Sequence, residues 1–136
     1  MTSDALYRSV PHGDARLWRA IAADLGFWTA AGVLAALFCV PIGGVIGVRP
    51  LWFAVAAAGL AVFATGLLVG LNRLRPVSRR LIWGFAVGNL VAAPVVWLAA
   101  FLAWLPLLPG GNWALAACAD AMLIPGLYQL YLLRQR

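Results

Sequence analysis

The sequence predicts an all-α integral membrane protein. The expected form is a four-helix bundle, up-down-up-down, with both termini cytoplasmic. Three observations lead there. The chain has 136 residues, 65% hydrophobic and only 10% charged, against roughly 45–50% and about 25% in soluble domains. Charge is missing from three long runs: Leu25 to Val48, Leu51 to Leu71, and Leu81 to Leu133, the last interrupted only by Asp120. The arginines gather where those runs end. A soluble domain of this length has too little interior for so much apolar surface, and hydrocarbon is the simplest solvent that accepts it.

Each span follows from its run. A spanning helix needs about 20 apolar residues, so the third run holds two. The stretch "PLLPGGN", Pro106 to Asn112, divides it with proline and glycine. The helices are expected near 20–40, 51–71, 81–105 and 113–133, in one transmembrane domain covering 1–136. A polar segment, 1–19, precedes them. It lacks the short apolar core of a cleaved signal peptide. Its end, "GDARLWRAIAADLGFW", suits the start of a surface helix with Trp18 at the headgroups. "PIGG" after the first span and "PLLPGG" after the third suggest two similar hairpins running in the same direction.

Orientation follows from arginine. Arg8, Arg16 and Arg19 precede the first helix, Arg73, Arg75, Arg79 and Arg80 join the second to the third, and Arg134 and Arg136 end the chain. Only Arg49 falls on the other side. Positive charge is retained on the cytoplasmic face, which makes a multi-pass protein of a bacterial inner membrane the expected setting. The net charge of +6 does not imply nucleic acid, because it flanks spans and forms no patch interleaved with aromatics. Arg73, Arg75, Arg79 and Arg80 are candidates to meet anionic lipid headgroups.

Missing residues narrow the chemistry. There is no lysine and no glutamate, so no Schiff base can form on a lysine amine. His12 is the only histidine and lies in the polar segment, which leaves no intramembrane haem ligand. No CxxC pair, phosphate-binding GK[ST] loop or catalytic triad can be assembled. No catalytic residue, metal site or cofactor is expected. Cys39 and Cys118 read as small packing residues.

The remaining polar and small residues are the candidate sites. Asp120 and Asn89 form the candidate intramembrane polar site. Pro94 and Pro125 are expected to kink their helices and free the carbonyls of Leu90 and Ala121. Asn89 is placed to serve Ala121, and a protonated Asp120 to serve Leu90. Gly66, Gly70, Gly84, Gly88, Ala117 and Ala121 recur at four-residue spacing and are expected to pack helices within one bundle, with a dimer face as the alternative. Trp52, Trp104 and Trp113 mark one interface, and Trp18, Trp83, Tyr128 and Tyr131 the other. Trp28 and Trp97 lie deeper, as bundle filling or as contacts for an apolar ligand. Asp24 opens the first run and is expected at the headgroups beside an arginine. Thr29 and Thr65 are expected to bond back to their own helices.

The expected function is that of a small accessory, assembly or structural component of a membrane complex, without catalysis. Its partners would be the bilayer and a membrane protein or further copies of itself. The alternatives are a small oligomeric transporter or channel using Asp120 and Asn89, and a binder of a lipid or other apolar ligand.

Overall fold

The computed structural model describes residues 12–74 and 78–135. The segment 1–11, Arg75 and Arg136 lie outside them. Five helices form: α1 (His12–Leu37), α2 (Cys39–Ile46), α3 (Pro50–Arg73), α4 (Arg79–Phe101) and α5 (Pro109–Arg134). Four of these are long and apolar enough to cross a membrane, as expected of a multi-pass membrane protein. No strand occurs among the described residues.

The differences from the expected boundaries have local causes. α1 begins at His12 and runs unbroken past Trp18, so the end of the polar segment is the first turns of a long helix. It breaks at Phe38, where Pro41 can neither donate to Leu37 nor tolerate its carbonyl nearby. α2 takes up the remainder of the run. It ends on Gly47, whose φ of 81° is left-handed, and the Gly47 and Val48 amides both return to the Gly43 carbonyl. Only glycine adopts that turn without strain. Pro50 then starts α3 and Pro109 starts α5, where a missing N–H costs nothing. Pro94 and Pro125 sit inside helices that continue through them.

The helices pack as two pairs, α1 with α3 and α4 with α5. The pairs are joined by α1 against α5, and by α2, which packs on both α3 and α5. Although α3 and α4 are consecutive, they share no packed face along their length. The bundle is therefore open on that side. At the arginine-rich end the four long helices converge on Leu17, Ile21 and Leu25 of α1, Leu71 of α3, Ile82 of α4 and Leu132 of α5. At the opposite end the Leu108 amide donates to the Ile46 carbonyl at 3.0 Å, tying the α4–α5 turn to α2.

Both pair seams are built from small residues. Ala57, Ala61 and Ala64 of α3 are buried, and Gly32 of α1 comes close to the first two. Ala86, Ala93 and Ala100 of α4 are buried along with Ala119 and Gly126 of α5. Close backbone approach gains dispersion contact where lipid supplies no hydrophobic drive between helices. The expected glycines are not the ones used. Around Gly66, Gly70, Gly84 and Gly88 an added Cβ would meet nothing within 4 Å. The four-residue spacing is present, but it falls on the outward faces of α3 and α4. Thr29 and Thr65 also depart from expectation. Their hydroxyls meet each other across the α1–α3 seam at 3.3 Å.

Candidate functional site

Three polar side chains meet where the two helix pairs join. Asp24 comes from α1, Asn89 from α4 and Gln129 from α5. Each lies in the inward stripe of its helix. On α1 that stripe is Leu17, Ala20, Ile21, Asp24 and Leu25; on α4, Ile82, Ala86, Asn89 and Ala93; on α5, Ala119, Gly126, Gln129 and Leu132. These three- and four-residue steps keep a side chain on one helix face.

The Asn89 Nδ2 donates to Asp24 Oδ2 at 2.9 Å, and Gln129 Nε2 donates to the same oxygen at 3.2 Å. Asp24 is 8% exposed and Gln129 is fully buried. Two further acceptors at the junction, Asp24 Oδ1 and Gln129 Oε1, are buried without a donor in good hydrogen-bond geometry, and the Trp28 side chain also lies close to Asp24. Asp24 thus bonds to two side-chain amides and not, as expected, to an arginine. It is the buried bridge between the two pairs.

The expected Asp120–Asn89 site does not assemble. Asn89 is committed to Asp24. Asp120 lies on the exposed side of α5, where its Oδ1 accepts from Trp97 Nε1 of α4 at 3.0 Å. Asp120 does reach α4, but its partner there is an indole N–H, and neither Asp120 nor Asn89 serves the carbonyls of Leu90 and Ala121. Trp97 is 40% exposed. Trp28 is half-buried and stacks edge-on against Phe27, with centroids 5.3 Å apart. Cys39 and Cys118 are free and partly buried.

The Asp120–Trp97 bond is expected to contribute little. Hydrogen bonds between membrane helices average about 0.6 kcal/mol by double-mutant cycles. Trp97→Phe and Asp120→Asn should each shift stability by less than about 1 kcal/mol in detergent unfolding. A loss several times larger would mean that Asp120 anchors the fold.

Among the described residues, Arg16, Arg19, Arg73, Arg79, Arg80 and Arg134 lie at one end of the long helices and Arg49 at the other. Arg79 and Arg80 of α4 and Arg134 of α5 line a groove of about 690 Å³ with Trp83. Arg79 also donates to the Leu133 carbonyl at 2.8 Å, satisfying one of the free carbonyls that end α5. Ser78 caps the start of α4, its hydroxyl accepting from the Leu81 amide at 3.3 Å.

Gln129 is the member of the junction that sequence reasoning missed. Its signal was available: it is the only polar residue in the inward stripe of α5 below Gly126. Comparison with protein-family models, curated proteins and solved structures finds no match.

Proposed function

We propose that this protein is a non-catalytic subunit of a membrane complex, and that it meets its partner along the outer face of α5. The observation that carries this reading is the position of Asp120. It lies about 17 Å along α5 from Pro109 and about 21 Å from Arg134, close to mid-span, yet it is exposed on the surface of the single chain. A carboxylate facing hydrocarbon at that depth costs roughly 2.5–3.5 kcal/mol even on insertion scales. One indole N–H offsets only part of that. Such groups face protein or a water-filled cavity, and a neighbouring helix would supply the cover.

The surroundings suit a helix. Trp113, Ala117 and Asp120 follow steps of four and three residues, and all are exposed. That spacing forms one seam along a helix, with alanine beside the carboxylate to allow close approach. The open glycines of α3 and α4 add further faces that the bundle does not use itself. A transport path through Asp120 and Asn89 is less well supported, because the two residues are bonded in different places.

A photo-reactive side chain at Ala117, introduced in native membranes, tests the reading. A discrete protein adduct is expected there, lost on Asp120→Leu, and absent from a probe at Val62 on the outer face of α3. An adduct of twice the chain mass would make the partner a second copy. Lipid adducts alone at both positions would overturn the proposal.

A further inference from the structure

The groove between α1 and α5 changes character along its length. At the arginine-rich end its walls carry Arg16 and Arg19 of α1, with Tyr128, Tyr131 and Gln135 of α5. Farther in, Ala20, Ala23 and Phe27 stand across from Ala121, Ile124 and Pro125. Ala20, Ala23 and Tyr128 line both stretches, so they form one continuous groove. Each stretch holds about 460 Å³, within the range of ligand pockets. Asp24 stands in the inner wall, but its carboxylate turns into the junction: Oδ2 accepts Asn89 and Gln129, and Oδ1 is buried. The inner stretch therefore presents an apolar surface.

The dimensions match one leaflet. Arg16 to Phe27 spans about 16 Å of helix, and half of a bilayer hydrocarbon core is about 15 Å. Arg16 and Arg19 are three residues apart and share one helix face. Both are exposed. Arginine forks match phosphate oxygens, and tyrosine hydroxyls beside them add donors. A soluble anion would leave the apolar stretch unused. A transmembrane helix would not end at a pair of arginines after one leaflet's depth. We infer that this groove holds one anionic phospholipid, its phosphate on Arg16 and Arg19 and one acyl chain laid over Ala20, Ala23 and Phe27 against Ile124.

Native mass spectrometry of the full chain in detergent, titrated with phosphatidylglycerol or phosphatidylcholine, tests this. The wild type is expected to keep one phosphatidylglycerol and to bind phosphatidylcholine at least about tenfold more weakly. This comparison needs no variant, so it stands even if a substitution disturbs folding. Arg16→Gln with Arg19→Gln should weaken phosphatidylglycerol binding about thirtyfold. Arg49→Gln, at the other end of the span, should leave it unchanged. Ala23 is exposed, and Ala23→Trp should fill the inner stretch and weaken binding about tenfold with both arginines intact. Inorganic phosphate should not displace the lipid. Equal binding of the two lipids would overturn the inference. So would retention by the double arginine variant, an equal loss in Arg49→Gln, no effect of Ala23→Trp, or displacement by phosphate.

Discussion

Asp24→Leu is expected to loosen the joint between the two helix pairs and to cost about 1–3 kcal/mol. The substitution keeps the side chain's approximate bulk but removes the oxygen that accepts both Asn89 and Gln129. Their amide donors would then lie buried with no partner. Leaving a buried donor unsatisfied costs more than the bond itself was worth. Asp24→Asn should behave differently. Its carbonyl oxygen can occupy the Oδ2 position and accept both donors. Its NH2 would replace the unpartnered Oδ1 and face an environment that also holds the unpartnered Gln129 Oε1. Stability within about 0.5 kcal/mol of wild type is expected. Reversible unfolding in mixed micelles would measure both. Equal stability of wild type and Asp24→Leu would mean that apolar packing around Leu17 and Ile21 holds the pairs together without the junction.

The long helices are legible in the sequence because their signal is bulk composition. Long runs without charge, separated by proline, glycine and arginine, leave few alternatives in a bilayer. The short α2 is less so, since it comes from one proline breaking an apolar run long enough to read as a single helix. The partners of Asp24 are missed for a related reason. Counting from the start of the apolar run makes an arginine its nearest partner, whereas the face it occupies on α1 turns it toward α4 and α5. The inward stripe through Leu17, Ile21, Asp24 and Leu25 gives the better reading, because periodicity reports the face a residue occupies while hydropathy reports only its depth. Asp120 shows the converse. Its depth is readable from the sequence, but which face of α5 turns outward depends on how α4 and α1 share that helix. Spacing cannot separate the two glycine roles either. Gly32 has no glycine four residues away on α1, where Trp28 and Ala36 occupy those positions. It is nevertheless the α1 glycine that α3 approaches most closely.

Gly32→Leu is expected to damage the α1–α3 seam severely. A Cβ at position 32 would lie 2.7 Å from the Ala57 carbonyl oxygen and 2.8 Å from the Ala61 amide nitrogen. Both are backbone atoms of a helix, so no rotamer change relieves the clash. The two helices would have to separate. Separation would also pull apart Thr29 and Thr65, whose hydroxyls meet at 3.3 Å one turn away, and would open the contacts of Ala57, Ala61 and Ala64. Overpacking typically costs about 1–3 kcal/mol, and a rigid backbone target places leucine at or above the top of that range. Gly88→Leu makes the opposite case. The sequence alone suggests that it would break the bundle, but its Cβ would meet nothing within 4 Å. A change within about 0.5 kcal/mol is expected for the isolated chain. Unfolding midpoints of the two variants in the same detergent separate the seams from the outward faces. If Gly88→Leu lost as much stability as Gly32→Leu, the α4 face would have to be covered inside the monomer. If only Gly32→Leu lost it, the glycine spacing on α4 would be free to serve contacts beyond the single chain.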